Sequence, residues 1–296
     1  MIQEHEVKQQ TKPGPYAESS ISLARILVAT DFSKTSERAL EHALSFARTY
    51  NSRIFLVHVI PVEAMMAPEL AEASRDKMRR EAREGMQRIL ASDCFFGVPH
   101  EEIIEEGSLW PSLEALIKKH EIDLLVLGTH GMGPVRKLMI GSAAEDVFRK
   151  APIPVLTIGP DVWREPLFEI ELKNVLLATA IGPGAEKQAA YALSLAQQHH
   201  SRITLLHVVE QPGEEQGILH QLQELVPAAA DLHCFPLFRV EHGDPVKKIL
   251  FVAEDTQANL IVLGAKARKG LAGRVPHTKA YQVVCRASCP VLTIKS

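Results

Sequence analysis

The chain contains two copies of one sequence pattern, and this repeat restricts its fold to architectures built from two similar units. RILVAT at Arg25–Thr30 matches NVLLAT at Asn174–Thr179, and SRIFLVHV at Ser52–Val59 matches SRITLLHV at Ser201–Val208 with the same offset. Further on, DLLVLG matches NLIVLG, and PVLTI occurs near the end of both copies. The 296 residues therefore divide into two domains of roughly 150 residues, the usual size of a globular domain.

Each copy alternates short apolar runs with amphipathic helical patterns. Ile26–Ala29 and Leu124–Leu127 are rich in branched apolar residues, which is typical of strands buried on both faces. Ala39, Ala43 and Phe46 recur at helical spacing and predict an amphipathic helix between the first two strands. Strands that alternate with helices predict an α/β fold, with a doubly wound, parallel, five-stranded sheet in each domain.

The domain boundaries follow from this alternation and from composition. We expect a flexible N-terminal tail over residues 1–22, a first domain over 23–159, a linker over 160–172 and a second domain over 173–296. The tail is polar and contains a Pro-Gly-Pro sequence, while the linker carries two prolines that interrupt regular structure.

Composition argues against several classes of partner. The net charge is −3, so no basic excess indicates nucleic-acid binding. No run reaches the ~18 apolar residues of a membrane-spanning helix, and we expect no membrane partner and a cytoplasmic location. The four cysteines include no CxxC pair, so we expect reduced thiols and neither disulfides nor a metal site.

Ligands of open α/β sheets bind at the carboxyl ends of the strands. In the first copy these ends carry Thr30 and Asp31, then His58 and Val59, then Gly128-Thr129. Asp31 is equally suited to cap the following helix. His58 has a counterpart at the same place in the second copy, so we interpret both histidines as packed or capping residues.

A glycine-containing segment after the fourth strand suits phosphate. Glycines let the backbone approach an anion closely. Ser142 and Glu145 have the spacing of a capping box, and a helix N-terminus favours phosphate. Arg136 and Lys137 lie between the two glycine elements and add positive charge. Taken singly, each feature is more typical of an ordinary loop or helix start than of a ligand site, and neither a P-loop nor a GxGxxG fingerprint is present.

The combination of these residues resembles a known family. Gly128, Gly131, Gly141 and Ser142 follow the pattern G-x2-G-x9-G-[S/T], which is the phosphate-binding pattern of ATP-binding universal stress proteins. Asp31 and the closing PVLTI segments are also similar to that family, and the resemblance covers both copies. It implies an adenine nucleotide alpha hydrolase-like fold and ATP as the ligand of the first domain. Mg²⁺ is expected on the phosphates, because polyphosphates usually bind with it.

The resemblance also implies a role for each matching residue. Thr30 and Asp31 are expected to contact the nucleoside, and the backbone of Val59 is expected to meet the adenine edge. The residues expected around the ribose and the phosphates are Gly128, Thr129, Gly131, Gly141 and Ser142.

The second copy departs from the pattern. The residues that replace Asp31, Gly131, Gly141 and Ser142 are Ala180, Ala267, His277 and Thr278, respectively. We therefore expect one nucleotide site, in the first domain, and a structural or regulatory second domain. An anion site built from the basic side chains of residues 266–274 remains an alternative.

The remaining expectations concern the partners and the activity of the protein. Family members often dimerise through their last strand, so we expect Ile153–Ile158 and Pro290–Ile294 to pair in an internal pseudo-dimer. A further homodimer and an unidentified protein partner stay open. The favoured function is an ATP-binding regulator of a stress response. A slow ATPase or phosphotransferase and a scaffold without a working site are the alternatives, and no catalytic residue is assigned.

Overall fold

The computed structural model describes residues 21, 23–61, 68–129, 147, 150–162, 168–209, 215–228, 230–265 and 278–295. The strands within these ranges are β1 Arg25–Ala29, β2 Arg53–Ile60, β3 His100–Glu106, β4 Leu124–Gly128, β5 Val155–Ile158, β6 Asn174–Ala178, β7 Arg202–Val209, β8 Leu237–His242, β9 Leu260–Ala265 and β10 Val291–Lys295. The helices are α1 Lys34–Tyr50, α2 Pro68–Leu90, α3 Leu109–Lys119, α4 Ala185–Gln198, α5 Glu215–Glu224, α6 Pro245–Asp255 and α7 Lys279–Val284.

The strands form one ten-stranded sheet in the order β3-β2-β1-β4-β5-β10-β9-β6-β7-β8. The first half of the sheet, β1–β5, and the second half, β6–β10, are each parallel throughout and have the same strand order. The predicted α/β fold with two parallel five-stranded units is therefore confirmed. In both halves the first strand lies in the centre, which leaves its carboxyl end between those of two neighbours.

The last strands of the two halves join them. β5 and β10 pair antiparallel, with Leu156 opposite Leu292 and Val155 opposite Thr293. The predicted pairing of these two segments is thus confirmed. Pairing removes an exposed strand edge from each half, since the last strand of each half obtains a backbone partner on both sides.

Apolar side chains cover both faces of this junction. Leu156 and Leu292 belong to one buried cluster that contains residues of both halves. Val155 and Val291 belong to a second cluster on the other face, again with residues of both halves. Each buried Leu or Val contributes about 1.5–3 kcal/mol relative to an exposed one, so the junction is part of the protein's core.

Helix α1 shows how the sequence sets an element that positions the candidate site. Ser33 precedes it, and its hydroxyl accepts a hydrogen bond from the amide of Ser36 at 3.2 Å. A stripe of small and apolar residues, including Ala39 and Ala43, is buried against the sheet. The helix ends where Asn51 adopts a left-handed conformation with φ of 54°. α1 thus begins directly at the carboxyl end of β1.

Helices also connect the halves away from the sheet. The Tyr50 hydroxyl at the end of α1 lies 2.9 Å from Gln198 Oε1 and 2.9 Å from His199 Nε2, both at the end of α4. The amide of Ile170 donates to the Thr49 hydroxyl at 3.1 Å, which ties the segment before β6 to α1. These bonds supplement the β5–β10 pairing.

Two further findings concern membrane-spanning helices and the cysteine thiols. No helix within the described ranges combines the length and hydropathy that crossing a membrane requires. No disulfide joins Cys94, Cys234, Cys285 and Cys289, of which only Cys289 is buried.

Candidate functional site

The carboxyl ends of β1, β2 and β4 lie together at one edge of the first half. Ala29 at the end of β1 pairs with Val57 of β2 and with Leu127 of β4. Because the three strands are parallel, the residues after these register positions emerge at the same edge. The predicted site residues that the structure brings to this edge are Thr30, Asp31, Val59, Gly128 and Thr129.

A tight network of hydrogen bonds fixes the turn after β1. Thr30 is buried, and its hydroxyl accepts from the amide of Phe32 at 3.1 Å and lies 3.1 Å from the Ser36 hydroxyl. Asp31 Oδ1 accepts from the amide of Ser33 at 3.0 Å. The Asp31 carboxylate is therefore held beside the N-terminus of α1. Half-buried in this position, it is able to accept a hydrogen bond from a ligand's hydroxyl or amino group.

The two matching histidines behave as predicted. His58 Nδ1 donates to the Thr30 carbonyl at 2.8 Å, and its ring stacks on Phe32 with 4.4 Å between ring centroids. His207 Nδ1 makes the same bond to the Thr179 carbonyl at 2.9 Å. Both histidines cap the end of a central strand, so the interpretation of a packed or capping residue is confirmed.

Val59 presents backbone groups to the space beyond β1. The Val57 carbonyl accepts from the Thr30 amide at 2.9 Å, whereas the Ile60 carbonyl accepts from Gly107 on the side of β3. Successive residues of a parallel strand direct their peptide groups to alternate sides. The N–H and C=O of Val59 therefore face the side of β1, two residues past the last register pair of that strand.

The two residues at the end of β4 pack closely against the surrounding protein. A Cβ atom at Gly128 would lie 2.8 Å from the carbonyl carbon of Thr35. The glycine thus lets β4 touch the first turn of α1. Thr129 is buried, and its amide and hydroxyl both donate to the Ile158 carbonyl, at 3.2 and 3.4 Å. The predicted residues Gly131, Gly141 and Ser142 lie outside the described residues, as do Arg136 and Lys137.

The corresponding edge of the second half has a different chemistry. Ala180 stands at the position of Asp31 and carries no carboxylate. The Thr179 hydroxyl donates to Gln188 Oε1 at 2.7 Å, and Gln188 is only 3% exposed. A Cβ atom at Gly264 would lie 2.7 Å from the Gln188 amide carbon. The side chain of Gln188 therefore fills the space between α4 and the end of β9.

Sequence reasoning missed Gln188, although a signal was available. With the offset of the repeat, Gln188 stands where the first half has Ala39, on the stripe of α1 that is buried against the sheet. A long amide on such a stripe needs a buried partner, and Thr179 supplies it. The second half thus differs from the first in its packing at the strand ends as well as in its motif.

The helix that follows the candidate phosphate segment is described only in the second half. Thr278 is the N-cap of α7, and its hydroxyl accepts from the amide of Tyr281 at 3.2 Å. Thr278 corresponds to Ser142 in the repeat. The hydroxyl residue at this position therefore acts as a helix cap in the half where the structure describes it.

The fold and this edge define a tandem α/β protein with a candidate ligand site at the carboxyl ends of its central strands. A family model described as the universal stress protein family matches residues 23–159 and again residues 171–295. These two matches cover most of the chain, which therefore belongs to the universal stress protein family.

Individual relatives agree with this assignment. A universal stress protein of Mycolicibacterium smegmatis is 26% identical over 91% of this chain and 96% of its own length. One from Methanocaldococcus jannaschii is 26% identical over 47% of this chain and 96% of its own length, so it is similar to one unit of the repeat. The crystal structure of a universal stress protein from Archaeoglobus fulgidus superposes with a TM-score of 0.71 at 21% identity. The superposition covers 92% of this chain and 98% of the other.

Proposed function

We propose that this chain is a cytoplasmic ATP-binding regulator of a stress response, with one nucleotide site in its first half. The observation that carries the proposal is the position of Asp31. Its carboxylate is held at the carboxyl end of the central strand by the Ser33 amide, at the place where open α/β sheets bind ligands. The glycine motif begins at the end of the adjacent strand β4 and consists of Gly128, Gly131, Gly141 and Ser142.

The proposed nucleoside contacts are made by residues at the carboxyl ends of β1 and β2. Asp31 accepts hydrogen bonds from ribose hydroxyls or from the base, and Thr30 supports it in the turn. The N–H and C=O of Val59, which face the side of β1 beyond the end of that strand, match the alternating acceptors and donors on the edge of adenine. The support for this role is the direction of the Val57 and Ile60 hydrogen bonds, which fixes the direction of the peptide groups between them.

The proposed phosphate contacts use the segment after β4. Gly131 and Gly141 offer backbone amides to the ribose and the phosphates. Thr129 borders the same space, with its own amide bonded to the Ile158 carbonyl. Ser142 caps the helix that follows. Thr278 supports this role, because it caps α7 at the corresponding position. A helix N-terminus favours phosphate by its amides and its partial positive charge. Mg²⁺ bound to the phosphates would offset their charge, and no residue of the chain is assigned to it.

The second half serves in this proposal as a structural partner. Ala180 offers no carboxylate, and the buried Gln188 occupies the helix side of the strand end. The pairing of β5 with β10 and the shared buried clusters support an internal pseudo-dimer in which each half stabilises the other. Nucleotide binding in the first half is then able to alter a surface to which both halves contribute.

Isothermal titration calorimetry with ATP and Mg²⁺ tests the proposal. Asp31→Ala copies Ala180 into the first half and should weaken binding at least about tenfold, because a hydrogen bond to a charged group contributes about 1.5–3 kcal/mol. Ala180→Asp is the matched control, which places the carboxylate in the second half and should leave the affinity unchanged. Equal affinities of the wild type and Asp31→Ala would refute the assigned site.

A further inference from the structure

The turn that carries Asp31 contains an unusual backbone conformation. Phe32 is a non-glycine residue with φ of 63°, in the left-handed region that side chains with a Cβ atom rarely adopt. The other non-glycine residues with positive φ in the described ranges all lie just after a helix, where this conformation is ordinary, and are Asn51, Glu121, His200 and Gln257. Phe32 instead lies between a strand and a helix, directly after Asp31.

Contacts with two other elements hold Phe32 in this conformation. Its ring stacks on His58 of β2 at an interplanar angle of 28°, and His58 is itself fixed by its bond to the Thr30 carbonyl. The ring also contacts Gly85 of α2, where a Cβ atom would lie 2.8 Å from two ring carbons. Such strain persists only where the surrounding structure enforces it.

Gly85 is explained by this contact. Glycine is unfavourable inside a helix relative to alanine, yet Gly85 lies within α2 between the buried residues Ala82 and Met86. Any larger residue would overlap the Phe32 ring. The glycine therefore lets α2 lie directly on the ring, and the position of α2 determines where the ring can be.

The ring position in turn determines the direction of the Asp31 carboxylate. Phe32 separates Asp31 from Ser33, and the left-handed turn at Phe32 brings the Ser33 amide to 3.0 Å from Asp31 Oδ1. A displaced ring loses the His58 and Gly85 contacts that oppose relaxation of φ, so we expect this hydrogen bond to weaken. Asp31, Phe32 and Gly85 thus form a continuous chain of contacts from the strand end to α2.

We propose that Phe32 is a positioning residue that sets the Asp31 carboxylate for its ligand according to the position of α2. The ligand part of this inference rests on the proposed nucleotide site, and the geometric part does not. By reciprocity, a ligand that orders Asp31 also stabilises the packing of α2 on Phe32.

The geometric part is tested without nucleotide, by the hydrogen-exchange rate of the Ser33 amide, which Asp31 Oδ1 protects. Gly85→Ala should accelerate this exchange about fivefold or more, because the added methyl displaces the Phe32 ring. Gly217→Ala is the matched control: it is also a glycine within a helix, but nothing lies within 4 Å of its Cβ position. Unchanged Ser33 exchange in Gly85→Ala would overturn the inference.

A second variant covers the case in which Gly85→Ala does not fold. Phe32→Ala removes the ring but keeps the Cβ atom that disfavours a positive φ, so the turn should relax and Ser33 exchange should again be about fivefold faster or more. Protection at the wild-type level in Phe32→Ala would show that the ring does not hold the turn.

The ligand part is tested by the Kd for ATP with Mg²⁺. Gly85→Ala and Phe32→Ala should each raise Kd at least about fivefold, the lower end of typical coupling between sites. The double variant should bind like Phe32→Ala alone, since the methyl of residue 85 has no ring to displace. Unchanged Kd in both single variants overturns the positioning role. Absence of ATP binding by the wild type would instead refute the proposed function, and Ser33 exchange would still decide the geometric part.

Discussion

Gly128 at the end of β4 lies directly on the backbone of Thr35 in the first turn of α1, so that a Cβ atom would stand 2.8 Å from both the carbonyl carbon and the carbonyl oxygen of Thr35. Backbone atoms within a helix cannot move aside as the end of a side chain can. Gly128→Ala should therefore lower the free energy of unfolding by about 1–3 kcal/mol, the usual cost of overpacking. Urea denaturation measures this change. Gly217→Ala, which adds a methyl to open space, should not destabilise the protein, and a neutral Gly128→Ala would contradict the described contact.

The equivalent glycine of the second half should respond differently. The nearest atoms to a Cβ at Gly264 belong to the side chain of Gln188, which is bonded to the Thr179 hydroxyl. Gly264→Ala should displace this amide and destabilise the protein by about 1–3 kcal/mol. In the presence of Gln188→Ala the same change should cost much less, because the clash is absent. A double-mutant cycle checks this expectation, and strictly additive effects would argue against contact between the two residues.

His42 should make stability depend on pH. Burial within α1 lowers the pKa of His42 to about 4 from its ordinary 6.5. Between pH 6.5 and about pH 4, His42 is protonated in the unfolded chain but neutral in the folded protein. The unfolded state then holds more protons, and the free energy of unfolding falls as pH decreases through this window. From pH 7.5 to 5 the loss from His42 should be about 2 kcal/mol.

His42→Leu isolates this contribution. Urea denaturation at pH 7.5 and at pH 5 should show a smaller loss of stability in His42→Leu than in the wild type. His199, whose pKa burial also lowers, contributes its own pH dependence equally to both proteins. His220→Asn serves as the control, because the His220 side chain is 73% exposed. Parallel pH dependence of the wild type and His42→Leu would contradict the buried, neutral His42.

The junction between the halves should be important for stability. Leu156 of β5 is fully buried opposite Leu292 of β10, and its cluster contains residues from both halves. Leu156→Ala should lower the free energy of unfolding by about 2–5 kcal/mol, the cost of a cavity in a packed core. Leu237→Ala, at a leucine that is 51% exposed, should cost much less. Similar losses in both variants, measured by urea denaturation, would mean that the junction is not a packed core.

Much of the fold could be predicted because its determinants are local or repeated. The alternation of apolar runs and helical stripes predicted parallel strands. The pairing of β5 with β10 was implied by the resemblance to universal stress proteins, which often dimerise through their last strand. The capping role of His58 was predicted from its recurrence at His207, because a residue that occurs in both halves is expected to stabilise the fold that the halves share. That role is confirmed by the bonds to the Thr30 and Thr179 carbonyls.

The remaining features depend on contacts between segments distant in sequence. Gly128 belongs to the predicted nucleotide-binding pattern, but the space that a side chain would need at this position is occupied by the backbone of α1. The left-handed turn at Phe32 places its ring against Gly85 of α2, and no local pattern near Phe32 predicts this contact. Gln188 was recognisable only by aligning the two helices of the repeat. Tertiary contacts of this kind are not encoded in the spacing of a motif.

The number of ATP molecules bound per chain tests the central claim most directly. Calorimetric titration of the wild type with ATP and Mg²⁺ should give one equivalent per chain. Gly131→Ala and Gly141→His, which copy the second half's residues into the first, should each abolish that binding, whereas Gln188→Ala should leave it intact. Two equivalents would show a working site in the second half. No binding by the wild type, or binding that survives both substitutions, would contradict a single nucleotide site in the first half.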